Sequence, residues 1–174
     1  MHPQCPPPRG FRPITELSRG KFLRSRPPFI RRRKPKGRKA QGIRYERKVL
    51  EFLEASSPLP LYPGPWIEFW DKERGKWTKR WCQPDGLLLD PWEGRAIVVE
   101  VKYQHTSDAW WQLRKLYLPV LEMMLPEYEF FPLEICKWYD PAVSFPEEVA
   151  MTPVPWQSQG FGSSSPFGVH IWKP

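Results

Sequence analysis

Several features are scarce in this sequence of 174 residues, and each absence excludes a class of protein. No apolar run reaches the roughly 18 residues of a membrane span, and the start (MHPQCPPPRG) has no apolar signal region. We therefore expect a cytoplasmic protein that does not cross a membrane. The three cysteines, Cys5, Cys82 and Cys136, are far apart, so zinc and iron–sulfur sites have little support and reduced thiols are expected. The three histidines are isolated too; only His105 could serve histidine-based catalysis, and a polar loop position is its simpler interpretation.

Proline and aromatic residues are abundant instead. The 23 prolines argue against long helical bundles, coiled coils and repeat arrays, because proline is poorly tolerated in helix interiors and central strands. The ten tryptophans and the aromatic content of 15% are too high for a fully disordered chain. The length allows one domain, or one domain with tails.

Positive charge is concentrated in the first 40 residues. These residues contain 13 of the 27 Lys and Arg and a single acid, Glu16, which gives +12 against −4 for residues 41–174. Such a segment has little apolar surface to bury, so we predict a basic, proline-rich disordered tail over residues 1–40. Its basic run is predicted to bind DNA phosphates without sequence preference, although a solubilising or targeting tail has the same composition. The phosphate-binding candidates are Arg31, Arg32, Arg33 and Lys34.

Local patterns predict a core over residues 41–140 with a helix, three strands, a second helix and a final strand. The first helix starts near Ile43, and Glu46 shares its apolar stripe, where a carboxylate is costly unless it is paired, bound to a metal or able to reach water. Pro119 is expected to kink or end the second helix. The Pro-, Gly- and Ser-rich extension 141–174 should be mostly loop, with one short strand near its end. The predicted segments are 43–55, an aromatic hairpin over 66–82, a short apolar run at 86–89, Ala96–Lys102, 108–124 and 130–138.

Asp85 and Glu100 are predicted to face each other across a hairpin. The turn Asp90–Arg95 is centred between positions 92 and 93, so the numbers of paired residues should sum to about 185. Opposed residues have Cβ atoms roughly 4.5–5.5 Å apart, and alternation places Glu100 and Lys102 on one face. Opposed like charges destabilise a strand pair unless a cation bridges them, and carboxylates suit Mg²⁺ or Mn²⁺. The pattern therefore predicts a metal site; an Asp at a strand start with an exposed Glu–Lys face is the alternative.

Pro84-Asp85, a hairpin turn and Glu100-Val101-Lys102 resemble the signature of the PD-(D/E)XK nuclease superfamily. The resemblance implies an α/β protein with a restriction-endonuclease-like αβββαβ core, in which helices flank a mixed central sheet. Glu46 matches the acidic residue of its first helix, and GIRYER is similar to the opening helix of archaeal-type Holliday-junction resolvases. The second helix is similar to that of RecB-like nucleases, whose Gln-x-x-x-Tyr pattern is one residue shorter than the Gln112–Tyr117 spacing. Compact nucleases of this kind suggest a phage origin, with action in the host cell cytoplasm.

The resemblance also implies residue roles in Mg²⁺- or Mn²⁺-dependent hydrolysis of DNA phosphodiester bonds. Lys102 would orient the attacking water or stabilise the developing charge. The ion would be held by Asp85, Glu100, the carbonyl of Val101 and Glu46. The substrate would be held by Gln112, Arg114 and Tyr117.

The favoured expectation is a structure-specific endonuclease, such as a Holliday-junction resolvase in phage recombination or repair, which would act as a homodimer. A RecB-like exonuclease, a non-catalytic nucleic-acid-binding protein on the same fold and an RNA-binding protein of ribosomal type stay open. The tryptophans of the aromatic hairpin exceed what one small core can bury, so some should lie in a dimer interface or under the C-terminal extension. These are Trp66, Trp70, Trp77 and Trp81.

Overall fold

The structure is a computed structural model that describes residues 5–31, 34–157 and 166–174. Residues 107–124 form a helical segment that contains one π-helical turn, Leu113–Tyr117, between two α-helices. The strands are β1 (Leu17–Leu23), β2 (Leu61–Pro63), β3 (Trp66–Glu73), β4 (Lys76–Cys82), β5 (Gly86–Asp90), β6 (Arg95–Gln104), β7 (Glu129–Trp138), β8 (Val149–Met151) and β9 (Phe167–Ile171). The helices are α1 (Arg38–Ser56), α2 (Ser107–Gln112) and α3 (Leu118–Met124).

A six-stranded mixed sheet in the order β2-β5-β6-β7-β9-β8 forms the centre of the fold. β5 is antiparallel to β2 and β6, whereas β6, β7, β9 and β8 run parallel to one another. Ile97, Val99 and Val101 of β6 pack with α1, and Ala96 and Val98 pack on the opposite face with α2 and α3. The expected α/β class with a mixed sheet between helices is therefore confirmed.

The first helix begins at Arg38, before the predicted start, and its buried face differs from the predicted stripe. Tyr45, Val49 and Leu53 are buried, whereas Ile43 is 45% exposed. This small rotation places Glu46 at the edge of the buried face, where it is half-buried. Glu46 therefore lies at the edge of the buried stripe, and not within it as expected.

The aromatic hairpin is confirmed as β3 and β4, but it does not join the central sheet. It pairs instead with β1, which is antiparallel to β3, and forms a separate three-stranded sheet. The fully buried Ile67 and Phe69 attach this small sheet to the core beside α2 and α3. The predicted disorder of residues 1–40 therefore does not hold for Leu17–Leu23.

A buried ion pair explains why the basic segment is ordered there. Asp71 is 2% exposed and accepts hydrogen bonds from the backbone N–H groups of Thr15 and Glu16, each at 3.0 Å. Its partner Arg80 donates to the carbonyls of Arg12 at 2.6 Å and of Pro13 at 3.3 Å. Burial alone would raise the pKa of Asp71, but these backbone bonds and Arg80 lower it. The carboxylate thus ties the N-terminal segment to β3.

Two other expectations change in the second half of the chain. Pro119 does not end the second helix; it lies in the first turn of α3, where a missing N–H is tolerated, and α3 continues to Met124. The extension 141–174 contributes β8 and β9 to the central sheet, so it contains more than loops and one short strand. In the part of the chain that the structure describes, no helix combines the length and the apolar character that crossing a membrane requires.

Candidate metal centre

The predicted register between the two strands of the motif is confirmed. Gly86 pairs with Val99 and Leu88 pairs with Ile97, so the residue numbers of each pair sum to 185. Asp85 directly precedes Gly86 and therefore lies opposite Glu100. Hairpin geometry, which the turn sets, brings together two acids that are distant in sequence.

The antiparallel ladder stops at the motif. The register places Pro84 opposite Val101, and proline has no N–H to donate. The Asp85 carboxylate satisfies the other main-chain group of Val101, because its Oδ2 accepts the Val101 N–H at 2.6 Å. The N–H and carbonyl of a strand residue point to the same side, so the Val101 carbonyl also faces Asp85 without a donor from Pro84. This oxygen is consistent with the predicted ligand role of Val101, which stays a prediction.

Lys102 connects the motif to the following helix. Its Nζ lies 2.6 Å from Glu100 Oε1 and 2.6 Å from Gln112 Oε1. Only 20% of the Lys102 side chain and 5% of the Glu100 side chain are exposed, so this ion pair is largely removed from water. Glu100 Oε2 is buried and has no hydrogen-bond partner among the described residues. Such an oxygen is costly to bury, which makes it a candidate ligand atom.

Three carboxylates share this space with too little positive charge. Burial, then the charges of Glu100 and Glu46, raise the pKa of Asp85 well above its ordinary range. Burial also raises the pKa of Glu100 and of Glu46, although the Lys102 ammonium opposes the rise in both. A divalent cation would relieve this repulsion, and carboxylate and carbonyl oxygens fit Mg²⁺ or Mn²⁺.

Glu134 is a member of the acidic cluster that sequence reasoning missed. It is fully buried on β7, where the parallel register places it beside Glu100, and its charge contributes to the raised pKa of Glu100. A single acid in the apolar segment FFPLEICKW was the available signal. Its neighbour could not be identified without the pairing of β6 with β7.

His105 lies in the loop between β6 and α2, as expected, but it is buried. Its Nδ1 is hydrogen-bonded to Glu134 Oε2 at 2.8 Å, and its ring lies against those of Tyr139 and Phe145. His105, Glu134 and Cys136 place one ligand atom each within 4.8 Å of one another and could hold a metal.

Among the described residues, that group is the one set of three such ligands whose atoms lie this close together. The oxygens of Glu46, Asp85 and Glu100 are therefore not all within 4.8 Å of one another. The carboxylate oxygens of the predicted metal centre are therefore spread more widely than the ligand atoms of His105, Glu134 and Cys136.

A π-helical turn brings Gln112 and Tyr117 to the same site. The Leu118 N–H bonds to the Leu113 carbonyl five residues earlier, so this turn contains one residue more than an α-helical turn. The extra residue lets a Gln-x-x-x-x-Tyr spacing present both side chains on one face, as Gln-x-x-x-Tyr does in an α-helix. Gln112 binds Lys102, and burial followed by the charges of Glu100 and Asp85 raises the pKa of Tyr117 well above its usual range. The π-helical turn thus compensates for the extra residue between Gln112 and Tyr117.

Arg114, which was also predicted to bind substrate, contacts Glu147. Arg114 forms two hydrogen bonds with the Glu147 carboxylate, from Nε at 2.8 Å and from Nη2 at 2.9 Å. Arg31 and Lys34 are exposed, and Arg32 and Arg33 lie outside the described residues. Substrate binding by these side chains stays a prediction.

Comparisons of the chain with protein-family models, with curated proteins and with solved structures give no match. The function is therefore inferred from the geometry of the site itself.

Proposed function

We propose that this protein is a divalent-metal-dependent deoxyribonuclease with a PD-(D/E)XK-type centre. The observation that carries the proposal is the placement of Asp85 opposite Glu100, with Lys102 bonded to one Glu100 oxygen and the other oxygen buried without a partner. A protein that only binds nucleic acid has no need of this costly arrangement. Lys102 supplies one positive charge against the carboxylates of Glu46, Asp85 and Glu100, and this imbalance favours a site that takes up an ion.

The order of elements supports a restriction-endonuclease-like core. Without the β3–β4 hairpin, the chain reads α1, β2, β5, β6, α2–α3 and β7, which is the αβββαβ order. In this description the hairpin is an insertion between the first and second core strands. It pairs with β1 and leaves the central sheet uninterrupted.

Each side chain has a role that its contacts support. Asp85, Glu100 and the Val101 carbonyl would hold Mg²⁺ or Mn²⁺, with Glu46 at the rim. The ion would supply polarisation of the scissile phosphate and a lower pKa for the attacking water. Lys102 carries its proton, since Glu100 raises its pKa against the effect of burial, so it can stabilise negative charge beside the carboxylates. Gln112 fixes the direction of the ammonium.

The direct test is cleavage of plasmid and linear DNA in Mg²⁺ and in EDTA. We expect cleavage only with the metal, and a loss of about 100-fold or more in the Glu100→Gln and Lys102→Ala variants. Glu54→Gln is the matched control, because Glu54 is an exposed carboxylate on the helix that carries Glu46. Cleavage unaffected by both site substitutions would refute the assignment. DNA binding with no cleavage in any metal would favour a non-catalytic binding protein.

The π-helical turn favours a second candidate within this class, a RecB-like exonuclease. It gives Gln112 and Tyr117 the relative placement that the RecB-like pattern implies, although their spacing in sequence differs. A panel of four-way junction, flap, single strand and linear and circular duplex separates the candidates. Paired symmetric cuts near the branch point select a resolvase, which must act as a symmetric dimer. Cleavage that requires a DNA end selects the exonuclease.

A further inference from the structure

The small sheet has one face that packs on the core and one that alternates tryptophan with basic side chains. Ile67 and Phe69 of β3 point inward and are fully buried, so alternation places Glu68 and Trp70 on the opposite side. We call that side the outer face. The register with the neighbouring strands assigns it Arg19 and Lys21 of β1, Trp66, Glu68, Trp70 and Lys72 of β3, and Trp77, Lys79 and Trp81 of β4.

Aromatic and cationic groups are in direct contact across this face. Arg19 lies 4.8 Å from the centre of the Trp70 ring, and the Lys79 Nζ lies 5.4 Å from the same centre. Trp70, Arg19 and Lys79 all line one surface pocket of about 290 Å³. Lys72 similarly lies 5.6 Å from the Trp77 ring, which is 43% exposed.

The outer face is positively charged on balance. Its four basic side chains are balanced in part by two acids. Glu68 lies 3.4 Å from Lys21 and 3.6 Å from Lys79, and Glu16, which precedes β1, lies 3.2 Å from Lys72. The side chains of Lys21 and Lys79 are 66% and 41% exposed, so a polyanion can reach them.

We propose that the outer face binds a single-stranded segment of nucleic acid. Bases stack on tryptophan rings irrespective of sequence, and nearby Lys and Arg bind the phosphates between them. A protein partner would have to cover exposed ammonium groups as well as rings, whereas a single strand satisfies both. The proposal adds a substrate-binding surface to the proposed nuclease, and its claim about the nuclease substrate rests on that proposed function.

The outer face is also connected to the candidate metal centre through the chain. β1 ends at Leu23, opposite Trp66, and the basic segment 24–37 leads from there to α1. Phe29 of this segment contacts the Trp81 ring, with centroids 4.7 Å apart. At the same end, Cys82 is followed three residues later by Asp85, a reach of at most about 11 Å. This end of the small sheet therefore lies close to Asp85, and a strand bound on the outer face can continue from there toward the carboxylates.

The test is binding of a fluorescently labelled 20-nucleotide oligothymidylate to the full-length protein in EDTA, measured by anisotropy. We expect Trp70→Ala and Trp77→Ala each to weaken binding about 5- to 100-fold, and the corresponding Phe substitutions to retain most of it. Trp92→Ala is the matched control, because Trp92 is 94% exposed in the β5–β6 turn, and it should change affinity less than twofold. Lys79→Gln, which leaves the rings in place, should reduce the salt slope by about one.

Thermal melting of each variant separates lost binding from lost folding. Unchanged affinity in both alanine variants with native melting would overturn the proposal, as would equal losses for oligothymidylate and a 20-base-pair duplex. A wild-type dimer that the tryptophan substitutions convert to monomers in sedimentation would assign the face to a second copy instead. Because EDTA prevents metal-dependent cleavage, binding can be intact when the nuclease proposal fails, and cleavage can persist when the binding proposal fails.

Discussion

Replacing Lys102 by methionine should destabilise the protein in a manner that depends on pH. Methionine keeps the length of the stem but removes the ammonium that lies 2.6 Å from Glu100 Oε1. Glu100 would then be a buried carboxylate without its ammonium partner, and its Oε2 already has no hydrogen-bond partner among the described residues. Removing one partner of a buried ion pair costs about 3–5 kcal/mol, and the partial exposure of Lys102 favours the lower end.

The sign of the pH dependence follows from the Glu100 pKa. Burial raises this pKa and Lys102 lowers it, so the variant should have a still higher Glu100 pKa. A carboxyl whose pKa is raised in the folded state favours folding below its unfolded value of about 4.3 and opposes it as pH rises through the folded pKa. The difference between wild type and Lys102→Met should therefore be small near pH 4 and reach about 3 kcal/mol at pH 8.

Urea unfolding followed by tryptophan fluorescence at pH 5, 6.5 and 8 measures this difference. The double variant Glu100→Gln, Lys102→Met should recover at least about 1 kcal/mol at pH 8, because the carboxylate that lost its ammonium partner is then neutral. Lys48→Met, at an exposed position on α1, is the control and should change stability by less than about 0.5 kcal/mol. A Lys102→Met penalty that is equal at pH 5 and pH 8, and not relieved in the double variant, would refute the reasoning.

Three further predictions test other parts of the structure. Saturating Mg²⁺ at about 100 times its Kd should raise the free energy of unfolding of the wild type by about 2.7 kcal/mol and that of Asp85→Asn by much less; equal rises in melting experiments would contradict the metal centre. Asp71→Asn should lower the free energy of unfolding by about 1.5–3 kcal/mol at neutral pH, and by less as pH falls through the lowered pKa of Asp71. The variant should also be cleaved faster by trypsin before β3. Unchanged proteolysis would contradict the role of Asp71 in holding the N-terminal segment. Deleting Lys115 should convert the π-helical turn to an α-helical one and lower the free energy of unfolding by about 1 kcal/mol. Deleting Arg47 from α1 is the control, because it rotates the following residues by about 100° and should cost more than about 3 kcal/mol. Similar losses for the two deletions in urea unfolding would contradict the interpretation of the turn.

The motif strands were the most predictable part of the fold. Alternation along Ala96–Lys102 and the turn before it specify both the face of each side chain and the register, and both agree with the structure. These are local properties, because a short turn fixes pairing and the side-chain period is two. The acidic partner on β7 was beyond this reasoning. Glu134 reaches Glu100 through a parallel pairing that a helical crossover makes, and no turn encodes its register.

The N-terminal segment shows the opposite limit of composition. A charge of +12 over residues 1–40 predicts disorder, yet Leu17–Leu23 pair with β3. Composition averages over the segment, whereas order there depends on a buried carboxylate, Asp71, more than 50 residues away. The same pairing places Arg19 and Lys21 beside the hairpin tryptophans on one face, and no local sequence pattern predicts this.

By itself, the sequence determined the local structure: the helices, the motif hairpin, and a set of two carboxylates and a lysine on one side of it. Those features arise from side-chain period, turn chemistry and the cost of opposed charges, all of which act over a few residues. Three features depended on long-range packing: the aromatic hairpin leaves the central sheet and pairs with β1, Glu134 lies beside Glu100 and binds His105, and a π-helical turn aligns Gln112 with Tyr117. These depend on which distant segments bury one another's surfaces, and that choice is made by packing of the whole chain rather than by any local pattern.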